Sequence, residues 1–434
     1  MRFLLLLTLL STGVCANTQL QTYARLFGMA PMEAATPKRE ELYQLGLRLF
    51  MDPLLSGNNN ISCLMCHTPA IGTGDQLPLS LGAGAHGLGS MRQQGDGAIL
   101  RRNTPALFNL GVPSARHMFW DTRVTRDAYG HWVTPEPALN GATPQLAEVA
   151  RTLDSPLAVQ ALFPIATPEE MLGLGSPLTR TEAWDATLER LLNGPRAHIY
   201  QSLFKQAFGE VSYNIGHVGN ALAEFQRHAF WAGDTPWDRF LKGEDILSEE
   251  MKAGALVFFE QGQCARCHSG MQLSNFETRS IGVPNLTVGS DDKGLFEVTG
   301  DPRDLYHFRV APLRNVALTA PYMHNGVFST LHEVIEFYDR PMHALRHFAW
   351  SEEIPNYNIP LTIEREPQNQ MARARMMSHD LTRHLNLTVE QKSQLWCFLT
   401  VALTDLNYQD QLQGVENENP RCHPILPGTY RPGR

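Results

Sequence analysis

Cys63-Leu64-Met65-Cys66-His67 and Cys264-Ala265-Arg266-Cys267-His268 are two copies of one five-residue pattern, CxxCH, with their histidines 201 residues apart. Two thiols separated by two residues can each bond one vinyl carbon of a haem, and the histidine that follows swings under the iron as proximal ligand. A zinc site shared by the four cysteines is the competing reading. It leaves unexplained the histidine directly after each pair and the apolar leader at the N-terminus. The pattern therefore predicts two covalently attached haems c.

Each copy is preceded by the same layout. Leu42, Leu45, Leu49 and Phe50 recur at helical spacing and run into the turn Asp52-Pro53 and Ser56-Gly57-Asn58 before Cys63. Ser248 can cap a helix bearing Met251, Ala255, Phe258 and Phe259, which leads to Gly262 and Cys264. Further apolar stripes at Trp184, Leu188, Leu191 and Leu192, and at Leu395, Phe398, Leu399 and Ala402 behind the capping box Thr388…Gln391, add helices. No convincing alternating strand pattern occurs. Residues 72–100 are Gly-rich and read as loop, and residues 122–158 carry several prolines and little periodicity, as an insertion would. The expected fold is mainly α, with two c-type cytochrome-like haem domains, residues 17–240 and 241–434, and long ordered loops.

The chain's 434 residues, 43% hydrophobic and 18% charged, suit two globular domains and exclude a disordered chain. The start MRFLLLLTLLSTGVCA has one Arg, a short apolar run and small residues at Val14 and Ala16, the form of a secretory leader cleaved after Ala16. Cys15 as a lipidated cysteine is the alternative; Thr12 and Val14 suit it poorly. No later stretch is apolar for long enough to span a bilayer. Cleavage removes Arg2 and no acid, moving the net charge from −8 to −9, a poor balance for binding nucleic acid. The expected place is the periplasm. Six of seven cysteines remain after cleavage; beyond the two motifs these are Cys397 and Cys422, a disulfide in an oxidising compartment or two unrelated thiols.

Longer strings carry a resemblance. They are Leu49-Phe50-Met51-Asp52-Pro53-Leu54-Leu55-Ser56, Arg102-Asn103-Thr104-Pro105-Ala106-Leu107-Phe108-Asn109, Phe119-Trp120-Asp121-Thr122-Arg123, Phe308-Arg309-Val310-Ala311-Pro312-Leu313-Arg314-Asn315 and Leu318-Thr319-Ala320-Pro321-Tyr322-Met323-His324-Asn325-Gly326. Across nearly all of the mature sequence the chain resembles the bacterial dihaem cytochrome c peroxidase and MauG superfamily.

That resemblance implies roles for named positions. Trp120 matches the tryptophan between the two haems, an electron or hole relay; a core aromatic is the plain alternative. Asn103, Thr319 and Pro321 match the residues that hold a calcium ion, through hard oxygen donors. Gln160, Pro164 and Glu170 match the pocket on the open side of the first haem. There a carboxylate can take the peroxide proton and return it to the leaving oxygen. By itself Glu169-Glu170 after Pro168 also reads as a helix start.

Tyr338, nineteen residues after Thr319, stands where the cytochrome-oxidising peroxidases carry a Met ligand to the second haem and the MauG-like branch a Tyr. Met342, one helical turn on, is its competitor. An anionic phenolate should favour ferric and higher states. His86 reads as a loop histidine, with a removable first-haem ligand as the alternative; His117, His307 and His324 remain unassigned. MauG's surface tryptophan, two residues before the second haem's first cysteine, is Gly262 here, which leaves that exit absent.

Three functions follow in order. The first is a periplasmic peroxidase reducing H2O2 with electrons from a small donor. The second is a MauG-like oxidase that modifies a partner protein, and the third is an electron-transfer cytochrome with no chemistry of its own.

Overall fold

Helix α1, Glu40–Met51, buries Leu42, Leu45, Leu49 and Phe50 on one stripe and exposes Met51. Twelve residues are marginal as an isolated helix. Burial holds it, since a fully buried Leu or Phe contributes about 1.5–3 kcal/mol. Its partner is α2, Ile215–Ala229, capped by Asn214, whose residues from Val218 to Gln226 are all buried. Gly46 makes the crossing possible: a Cβ there would strike the Ala221 carbonyl. The computed structural model describes residues 16–33, 36–141, 143–350, 353–412 and 418–425, so residues 1–15 of the expected leader lie outside the described residues.

The same construction recurs before the second motif. Helix α3, Glu249–Phe259, begins at Ser248, whose hydroxyl accepts from Met251 N–H. It crosses a later helix, which starts at the Thr388–Gln391 capping box and runs from Val389 to Cys397. Gly254 sits against the Gln394 carbonyl as Gly46 sits against Ala221. Cys397 is bonded to Cys422, which pins the following tail to this helix. Residues 16–26 form a helix packed on this second core, not the first, because Tyr23 and Phe27 stack on Phe259 at 5.3 and 5.7 Å.

Helix dominates. The strands among the described residues are three antiparallel pairs, each two residues long: β1 Thr125–Arg126 with β2 Trp132–Val133, β3 Thr278–Arg279 with β5 Phe308–Arg309, and β4 Leu286–Thr287 with β6 Thr362–Ile363. The stretch read as an insertion holds the first pair and two short helices, Pro137–Asn140 and Pro144–Thr152, and the Trp132 indole N–H donates to the Ala150 carbonyl. Its elements are too short to show a period. The Gly-rich loop is ordered. Leu77, Leu79, Leu81 and Ala85 join a third apolar cluster with Leu286, Phe328 and Phe337, threading the first half of the chain into the second.

Candidate active site

The two motifs present their histidines in the same way. His67 Nδ1 lies 3.0 Å from the Thr73 carbonyl and His268 Nδ1 3.1 Å from the Leu273 carbonyl. A carbonyl can only accept, so each Nδ1 carries the proton and each Nε2 is left with its lone pair, the arrangement that orients an imidazole toward a metal. Burial lowers both rings to about 4, against the pull of those carbonyls, and keeps them neutral. Burial also pushes the Cys63 and Cys264 thiols to about 12 and Cys66 to about 11. None of these four cysteines is in a disulfide. Among the described residues no three His, Cys, Asp or Glu side chains are arranged to hold a metal ion, so the cysteine pairs do not meet in the four-Cys zinc arrangement.

A cavity of about 280 Å³ opens beside the second motif. Its walls bring together Cys264, Cys267 and His268 with Tyr338, Trp120 and Asn103, and Thr319 and Pro321 also reach it. Tyr338 comes from α4, Leu331–Asp339, which is started by the Thr330–Glu333 capping box. Burial raises its hydroxyl, and the charges of Cys264 and Cys267 act on it in the same direction. Met342 belongs to the next helix, Pro341–His347, and is not among the lining residues. The Trp120 indole N–H donates to the Asn103 carbonyl at 3.0 Å, and the Asn103 amide donates to the Leu77 carbonyl at 2.7 Å. His324 lines the same cavity, stacked on Phe308 with ring centroids 3.6 Å apart.

On the side of the first motif, Glu169 is exposed and Glu170 is half-buried. Desolvation raises the Glu170 carboxyl above its ordinary 4.5, opposed by Arg123 and Arg180, and its charge acts on the Cys66 thiol. The backbone there is a single wide turn, Pro168–Leu172, whose Glu169 carbonyl accepts from Ala83 N–H at 2.8 Å. Gln160, in the helix Pro156–Leu162, is buried with its Oε1 lacking a partner, an orphan that calls for a ligand or water. Pro164 begins the short turn between them. His86 is exposed, in a loop where it exchanges backbone hydrogen bonds with Gln93.

Residues that sequence reasoning passed over tie these parts together. Arg102 pairs with Asp121 at 2.6 Å and Asp292 at 2.7 Å, joining the segment of Trp120 to the second half. The partners are 19 and 190 residues away, so no local pattern announces them. Arg92, fully buried, donates to the Leu81 carbonyl at 2.6 Å, the same oxygen that Cys66 Sγ approaches at 3.9 Å. Burial raises nearby Asp75 to about 6, although Leu77 N–H, the Ser80 and Thr104 hydroxyls and Arg92 all favour its charge.

Thiol pairs outside any disulfide, imidazoles anchored through Nδ1 and an apolar cavity at the second motif fit haem c. A profile of the di-haem cytochrome c peroxidase family matches residues 40–246. The methylamine utilization protein MauG of Methylorubrum extorquens is 30% identical over 311 residues, 71% of either chain. Cytochrome c551 peroxidase of Pseudomonas aeruginosa is 32% identical over 296 residues, 67% of this chain and 69% of its own.

This chain belongs to the dihaem cytochrome c peroxidase and MauG family. The solved structure of a MauG-like protein associated with microbial copper homeostasis is similar throughout, with a TM-score of 0.60, 27% identity and 88% and 94% of the two chains covered. This dihaem peroxidase is an oxidoreductase of the peroxidase kind, with haem c as the family's cofactor and H2O2 as its substrate. No helix among its described residues is long and apolar enough to cross a membrane.

Proposed function

We propose that this protein is a periplasmic peroxidase that reduces H2O2 with electrons from a small donor, exported by a leader cleaved after Ala16. The observation that carries this reading is Glu170, a half-buried carboxylate, raised by desolvation, whose charge reaches the Cys66 thiol of the first motif. One haem is held by Cys63, Cys66 and His67, within residues 17–240. The other would be held by Cys264, Cys267, His268 and Tyr338, which line one cavity, within residues 241–434. When bound, the haems would supply the iron that takes up peroxide and would pass on the two electrons, drawn from the small donor, that reduce it.

The chain's own residues manage protons and positions. Glu170 accepts the proton of incoming peroxide and returns it to the departing oxygen, which leaves as water. A carboxyl raised by burial suits this double task, since it holds a proton more readily than an exposed one. Gln160 and Pro164 shape the space beside it. Trp120, fixed by its N–H bond to Asn103 at the wall of the second-motif cavity, would serve as an electron relay between the two haems. Asn103, Thr319 and Pro321 supply oxygen ligands to a calcium ion.

Tyr338 favours a second reading, a MauG-like oxidase acting on a partner protein, and Gly262 weighs against it. Turnover of H2O2 with a reduced small cytochrome separates the two. Rapid oxidation of the cytochrome is expected. Slow oxidation with a long-lived oxidised state of the protein would favour the partner-protein reading, and an inert protein would remove both.

A further inference from the structure

Arg309 is a cation with no carboxylate paired to it among the described residues. It is 6% exposed, burial weighs against its charge, and its buried Nη1 has no hydrogen-bond partner. Three other buried arginines are ion-paired: Arg102 with Asp121 and Asp292, Arg314 with Asp238, Arg373 with Asp291 and Glu364. Arg92 has Asp75 within electrostatic reach. An isolated buried charge is costly and is retained where an anion meets it.

The position of Arg309 says which anion. It lines the cavity that holds His268, Tyr338 and Trp120. In that largely apolar space the anions haem would bring are its two propionate carboxylates. Arg309 also grips the tryptophan segment twice: its backbone N–H donates to the Trp120 carbonyl at 2.7 Å and its Nε–H to the Phe119 carbonyl at 3.0 Å. Its place is fixed from the other side by β5, where it pairs with Thr278 of β3. A planar guanidinium can serve a carbonyl with one edge and a carboxylate with another.

We propose that Arg309 binds a propionate of the second haem through its free Nη1 edge and so sets where Trp120 stands relative to that haem. It is a positioning residue, and the inference rests on the second haem occupying this cavity. Both haems are covalently held, so mass spectrometry of each variant establishes their presence independently of Arg309.

The experiment is a redox titration over a range of pH on the two-haem protein, comparing wild type with Arg309→Gln and Arg309→Lys. Removing the cation leaves the propionate charge unbalanced, which favours ferric iron. Arg309→Gln should therefore lower the second haem's potential and move the pH dependence of that potential upward, as the propionate becomes easier to protonate. The first haem should be unmoved. Arg309→Lys keeps the charge and loses the fork, so it should restore most of the potential while the propionate vibrational bands still shift. If Arg309→Gln does not fold, Arg309→Lys alone decides through those bands. With two haems present, an unchanged potential, pH dependence and propionate vibration would overturn the proposal.

Discussion

Around Cys63–His67 and around Cys264–His268 the chain uses one construction twice. A helix with a glycine at its crossing, Gly46 or Gly254, lets a second helix approach to backbone contact. The chain then turns into CxxCH, and a carbonyl five or six residues on fixes the histidine ring. The surroundings differ beyond that shared base. At the second motif a phenol, Tyr338, and an indole, Trp120, face one cavity with His268. Near the first lies a half-buried carboxylate, Glu170, while His86 is out in solvent. Holding a haem is thus a local property of the repeat, and what each haem can do is set by segments that reach it from elsewhere in the chain.

The most severe way to test the shared base is to remove each half of it. Replacing Cys63 and Cys66 by Ala, or Cys264 and Cys267, should take the mass of the purified protein from two haems to one in either case. Zinc in wild type, or two haems in either variant, would break the parallel. The difference in surroundings is tested next. Glu170→Gln should keep both haem spectra and slow the reaction with peroxide by about 10²–10⁴-fold, the usual contribution of acid–base assistance. In wild type the rate should fall as pH drops through the carboxyl's raised value, because protonation removes the base, and this fall should vanish in Glu170→Gln.

The link between the two halves offers a further test. Arg102→Ala strands Asp292 and Asp121 and should cost about 3–5 kcal/mol in denaturant unfolding. Desolvation opposes both acids' charge, yet Arg102, with Arg123 also acting on Asp121, lowers each below 3.8. The stability they contribute is complete above that unfolded value and is lost as pH falls toward the folded one. Wild type should therefore lose more stability on acidification than the variant. Gly46→Ala and Gly254→Ala should each destabilise by about 1–3 kcal/mol through overpacking, and by similar amounts if the crossings are equivalent. The narrowest effect is expected from Tyr338→Met. A neutral thioether in place of a phenolate should raise the second haem's potential and leave the first alone. If neither potential moves, Tyr338 is not a ligand and Met342 is the next residue to replace.

The helices were legible because their signals are local. Thr388–Gln391 and Ser248–Met251 are caps whose partners lie three residues apart, and the Leu42–Phe50 stripe shows its own period. The segment 122–158 was opaque because its ribbon and helices are each too short to repeat a pattern. The packing of residues 16–26 on the second core was likewise hidden, because it depends on Tyr23 and Phe27 meeting Phe259 more than 230 residues later.

The sequence by itself determined that the chain carries two haem-attachment motifs, that helices precede them, and which family its longer strings resemble. Bonding to haem needs only thiols and an imidazole at fixed short spacing, and such chemistry can be read in one line. The tertiary structure decided that Tyr338, Trp120 and Arg309 share one cavity, that Glu169 is exposed while Glu170 is half-buried, and that Arg102 joins two aspartates 171 residues apart. Burial and charge pairing are properties of what surrounds a residue. Those surroundings are assembled from segments whose separation along the chain says nothing about their distance in space.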